Sequence, residues 1–137
     1  MLASGTILPA AGGYDVVFDS PSASRAGPFT FRYWVNDVSP PRASLRTRSV
    51  KRGGRLVVAA SDAGSGVDPA SVVVRIDGEE HEGRFVAGEV RIGTTGLRKG
   101  RHTLRLQISD YQESRNMENV ARILPNTQVL QTTFVVR

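Results

Sequence analysis

From residue 42 to the end, the chain repeats one arrangement. A short alternating or apolar run is followed by a cluster of Gly, Asp, Ser or Pro. The sharpest run is 102–109. Leu104, Leu106 and Ile108 point one way, and Thr103, Arg105, Gln107 and Ser109 point the other. A period of two is a strand period, and it leaves no amphipathic helical stripe. Further strand runs are expected at 43–47, 55–61, 71–76, 81–86, 89–92 and 128–137. About seven short strands with turn signals between them predict an all-β chain folded as a two-sheet sandwich. Only 113–124 leaves room for a turn or two of helix.

The turns carry their own signals. Residues 61–70 hold Asp62, Gly64, Ser65, Gly66, Asp68 and Pro69 between two apolar runs. This stretch reads as a folded corner. Gly64 and Gly66 can take positive φ, and Asp62 and Ser65 can bond the backbone nearby. Asp77-Gly78 and Ala87-Gly88 read as tight hairpin turns. Leu97 is placed as a core plug beneath the turn at 98–100.

Residues 1–41 look different. Runs at 14–18 and 29–35 are strand candidates, separated by a Ser-, Pro- and Gly-containing loop at 20–28. They hold most of the aromatic residues, among them Phe18, Phe29, Phe31, Tyr33 and Trp34. An isolated hairpin is marginal in water. Residues 1–41 are therefore expected to be the C-terminal hairpin of a preceding sandwich plus a linker stiffened by Pro40 and Pro41, and 42–137 a domain of its own. Unpaired edges recruit strands, so the hairpin is expected to be completed by missing upstream strands or another chain, with a dimer or strand exchange as the outcome.

The composition bounds the function. There is no cysteine, which removes disulfides and thiolate chemistry. No apolar run approaches the length of a membrane span, and membrane insertion is not expected. The net charge of +5 permits acidic polymers as partners. However, the basic cluster Arg42, Arg46, Arg48, Lys51, Arg52 and Arg55 contains no aromatic residue to stack on a base. Nucleic acid is not expected as a partner.

Asp62, Gly64, Ser65, Gly66 and Asp68, with Val72, Val74, Asp77 and Gly78, resemble a bacterial immunoglobulin-like family, also fibronectin III-like. Leu97, Gly100, His102, Leu104, Leu106 and Asp110 continue the pattern. The resemblance covers about 42–137. It implies an immunoglobulin-like sandwich and a place in a secreted or cell-surface bacterial protein of tandem domains. The implied role is non-catalytic: spacing or presenting neighbouring domains. The alternative is a calcium- or carbohydrate-binding accessory module of a secreted hydrolase. Asn36 and Asp37, followed by prolines, weakly resemble the calcium-binding linker of cadherin repeats.

Candidate site residues follow from chemistry. Ca²⁺ takes hard oxygen ligands, and Asp62, Asp68 and Asp110 can supply them if the corner and the loop at 110–126 share a pole. The alternative is that these acids only cap strand ends. No other cofactor is expected. A Ser65, His102, Asp68 triad is composable on paper, but the nucleophile-elbow pattern is absent. Glu79, Glu80 and Glu82 lie on one ribbon and give no cleft for a glycosidase pair. Sugar stacking has only Trp34 and Tyr111 to use. The loop at 110–126 is long for a hairpin connection and carries apolar side chains. Tyr33, Trp34, Tyr111, Met117 and Ile123 are thus the candidates for contact with a neighbouring domain or another protein.

Overall fold

A computed structural model describes residues 11–35, 37–114 and 126–137. Two packed sheets make up an all-β sandwich. Among the described residues the nine strands are β1 (Arg42–Leu45), β2 (Ser49–Val50), β3 (Arg55–Ser61), β4 (Val73–Ile76), β5 (Glu79–His81), β6 (Gly83–Val86), β7 (Glu89–Gly93), β8 (Gly100–Ser109) and β9 (Thr127–Val136). A single helical turn, α1 (Tyr111–Ser114), follows β8. One sheet has the order β1-β3-β7-β6 and the other β2-β9-β8-β4-β5. All the pairings are antiparallel except β2 on β9, where Ser49 faces Val135 and Val50 faces Val136 in parallel.

The alternation expected along β8 is the organising register. Leu104, Leu106 and Ile108 are all fully buried, facing Val74 and Ile76 of β4 and Phe134 and Val136 of β9 in one core. Leu56, Val58 and Ala60 of β3 and Val90 and Ile92 of β7 close it from the other sheet. Burying each such side chain stabilises by about 1.5–3 kcal/mol relative to exposure, so this two-sided apolar layer dominates the fold. Leu97 packs against it from the turn, as expected.

Both hairpin turns have the conformation their residues favour. Asp77 and Gly78 have φ of 52° and 95°, and Ala87 and Gly88 have 50° and 81°. Two positive φ values in succession match the right-handed twist of the flanking strands. The expected single strand at 81–86 is instead two. β5 pairs with β4 in one sheet, and β6 pairs with β7 in the other. The chain crosses between sheets at Gly83, where a Cβ would collide with the side chain of Val74. Glycine is needed for that close approach.

The expected strands at 14–18 and 29–35 do not form: none of the described residues before Arg42 lies in a strand. Phe18, Phe29, Phe31 and Tyr33 instead gather on one another, with successive ring centroids 4.5–6.3 Å apart, and all four are exposed. The alternation in this segment is genuine, but no partner strand exists in the described chain to use it.

Candidate metal centre

Four separate segments meet at one pole of the sandwich. The corner follows β3, Asp110 follows β8, Asn126 precedes β9, and residues 37–41 lead into β1. The corner is held by Asp62, whose Oδ2 accepts from the amides of Gly64 (2.9 Å) and Gly66 (2.7 Å). Gly66 has the expected positive φ of 86°. Gly64 does not; its constraint is proximity, because a Cβ there would strike the carboxylate of Asp37.

Asp37 is the residue that the sequence patterns miss as a site residue. It is buried, and its Oδ2 accepts from the Ser65 amide at 2.6 Å while Oδ1 accepts from the Ser39 amide at 3.2 Å. Burial opposes its charge, but those amides outweigh burial and hold its carboxyl below the usual range. Asp37 lies 25 positions before Asp62 and 73 before Asp110 in the sequence. No local spacing rule could have joined them. The only signal was the weak linker resemblance.

Asp37, Asp62 and Asp110 each bring a carboxylate oxygen within 4.8 Å of the others. Asp110 is fully buried. Burial raises its carboxyl to about 6, with the negative charges of Asp37 and Asp62 adding to the rise and the Glu113 amide opposing it. Its Oδ1 accepts from Glu113 N at 2.8 Å. Its Oδ2 is buried with no hydrogen-bond partner, and so is Oδ1 of Asn126. Leaving a buried polar atom unsatisfied costs about 1–3 kcal/mol. Asn126 lies beside Asp110, and its Nδ2 donates to the carbonyl of Asp37 at 2.6 Å.

The expected trio of Asp62, Asp68 and Asp110 is thus brought together only in part. Asp68 is buried nearby, but its oxygens accept from Ala70 N (2.9 Å) and Ser114 Oγ (2.6 Å), and it is not in the carboxylate cluster. Its role here is to cap the short 3₁₀ turn Pro69–Ser71.

The leading segment is fastened at the same pole, across the boundary expected at 41. Arg32 donates to the Ser65 carbonyl at 2.9 Å and stands over the Tyr111 ring, 4.6 Å from its centroid. Trp34 donates from Nε1 to Gln112 Oε1 at 2.6 Å and packs on Tyr111, with centroids 6.4 Å apart. Trp34 and Tyr111 are half-buried against each other, while Tyr33 is 79% exposed. Met117 and Ile123 lie outside the described residues.

The paper triad is not assembled. Ser65 sits at this pole, and its Oγ accepts from the Gln112 amide. His102 lies at the other end of β8, eight residues from Asp110, or roughly 27 Å along a strand. There its Nδ1 meets Asp77 Oδ2 (2.6 Å) and its Nε2 meets the Arg98 carbonyl (2.8 Å). With an acceptor at each nitrogen, the ring is best satisfied as imidazolium, and its pKa is raised by the Arg98 and Asp77 contacts.

The fold and this pole define a two-sheet β-sandwich whose acidic end grips the chain leading into it. Comparison with protein families, curated proteins and solved structures gave no match.

Proposed function

We propose that the chain is a non-catalytic immunoglobulin-like module that spaces or presents neighbouring domains in an extracellular protein. The sheet orders β1-β3-β7-β6 and β2-β9-β8-β4-β5 support the immunoglobulin-like reading. They correspond to the A-B-E-D and G-F-C arrangement with β2 and β5 as additional edge strands. One observation carries the functional reading. Arg32, Trp34 and Asp37 each bond to the corner or to α1, so the leading chain meets the sandwich in a set direction. A spacer needs that property, because a free linker would let its neighbour swing.

The test is orientational. A rigid reporter domain is fused ahead of residue 11, and its rotational correlation time is read by fluorescence anisotropy decay. In the native chain the reporter should tumble with the sandwich. An Arg32→Ala, Asp37→Ala double variant should release it to faster, independent motion. A reporter that already tumbles freely on the native chain refutes the reading.

A further inference from the structure

We propose that Asp37, Asp62 and Asp110 form a Ca²⁺ site, beside Asn126, that joins the leading chain to the corner and to the ends of β8 and β9. Grouped carboxylates alone would not carry this, since acids commonly cluster at loop ends. The independent observations are two buried acceptors without partners, one of them in the cluster, and the other belongs to Asn126. It is neutral, 1% exposed, and has a side-chain oxygen with no hydrogen-bond partner. Its orientation is fixed: turning the amide over would set its oxygen against the Asp37 carbonyl, where Nδ2 now donates at 2.6 Å. The free oxygen is sealed at the pole where these segments meet. Asp110 Oδ2 is unpartnered in the same way, in a residue with no solvent exposure. Two sealed acceptors at a pole with two further carboxylates leave negative charge that a bound cation would offset.

The donor set selects the ion. All three carboxylates offer oxygen, the ligand of a hard cation, and the cluster holds no histidine or cysteine of the kind Zn²⁺ favours. Oxygens on opposite sides of a Ca²⁺ ion stand about 4.6–5.2 Å apart, twice the usual bond length. Carboxylate oxygens within 4.8 Å of one another fit that span. Mg²⁺ gives up its water shell reluctantly and is seldom held by protein carboxylates alone, so this donor set favours Ca²⁺. Asp62 is only half-buried, so water can complete the shell from that side.

The amide bonds already present hold the ligands in place, and each carboxylate oxygen they use keeps a second lone pair. Asp37 is held by Ser65 and Ser39, Asp62 by Gly64 and Gly66, and Asp110 by Glu113. Glu113 also accepts from the Asn126 amide at 3.0 Å, tying α1 to the start of β9. The site is thus positioned by backbone contacts before any ion arrives.

The experiment uses the whole 137-residue chain, freed of metal with chelator and titrated calorimetrically with CaCl₂ and, separately, MgCl₂. One Ca²⁺ per chain is expected, with a melting temperature higher in CaCl₂ than in EGTA and little response to Mg²⁺. Asp110→Asn keeps the acceptor for Glu113 N but removes one of three crowded charges. It should lose at least tenfold in Ca²⁺ affinity and melt, without calcium, at or above the native temperature. No heat and no melting shift in the native chain would overturn the site, whether or not the variant folds. An equal response to Mg²⁺, or unchanged affinity in the variant, would overturn it too.

Discussion

Replacing Gly64 by alanine tests the link between the corner and the leading chain without touching an acid. A Cβ at this position would occupy the space of the Asp37 carboxylate. Asp37 has a short side chain pinned by two amides, so it cannot yield without losing the Ser65 bond. Ser65 is fully buried, and its amide would be left unpaired. A hydrogen bond to a charged acceptor contributes about 1.5–3 kcal/mol. Against this, Gly→Ala stabilises by about 0.4–1 kcal/mol where φ permits, through the unfolded chain. Gly64 is not at positive φ, so that offset applies. The net expectation is a loss of about 1–2 kcal/mol, or roughly 4–16 °C in melting temperature for a domain of this size. Urea titration of Gly64→Ala beside Gly93→Ala measures it, because Gly93 has nothing near its absent Cβ and should gain only the unfolded-chain term of about 0.4–1 kcal/mol. Asp37→Ala should cost a similar amount, and the double variant little more than either single one, since both remove one contact. If Gly64→Ala matches Gly93→Ala, or if the two losses add, Asp37 and the corner are not coupled as described.

The His102–Asp77 pair makes stability depend on pH. The His102 pKa is raised above 6.5, so its contribution is full below that value and is lost as pH rises through the folded pKa. The Asp77 pKa is lowered below 3.8, chiefly by the Thr103 amide and His102, so its contribution is full above that value and is lost as pH falls through the folded one. Denaturation of native and His102→Gln chains should differ most between about pH 4 and 6.5 and converge in alkaline buffer; a gap independent of pH would refute the ion pair. The exposed cluster of Phe18, Phe29 and Phe31 should promote self-association. Sedimentation velocity at rising concentration should show a dimer that Phe29→Ser, Phe31→Ser reduces, and a monomer throughout would remove that expectation.

What could be read from the sequence divides along a physical line. Period-two burial in β4 and β8, the apolar run of β3 and the paired turns at Asp77-Gly78 and Ala87-Gly88 are local properties, and they were legible. The two-residue β2 is too short to show a period, and its parallel pairing with β9 depends on a residue 86 positions away. The crossing at Gly83 looked like a continuous strand because side-chain alternation does not reveal which sheet supplies the hydrogen bonds. The leading segment misled for the opposite reason. Its alternation of aromatic and polar residues is the pattern of a strand, but pairing needs a partner. At the pole, Asp62 and Asp110 were legible from turn chemistry. Asp37 and Asn126 were not, because their role follows from segments converging in space.

The parallel contact between β2 and β9 has a mechanical consequence. The chain comes into the sandwich at the acidic pole, while β9 leaves that pole at Thr127 and reaches the opposite one at Val136. Tension between the incoming chain and the end of β9 would draw β2 toward one pole and β9 toward the other. The bonds Val135 N to Arg48 O (2.8 Å), Arg137 N to Val50 O (2.9 Å) and Arg52 N to Arg137 O (2.9 Å) lie across that line of pull. They would be loaded together in shear instead of opening one at a time like a zipper. Such a module would resist stretching along its long axis far better than peeling from one edge.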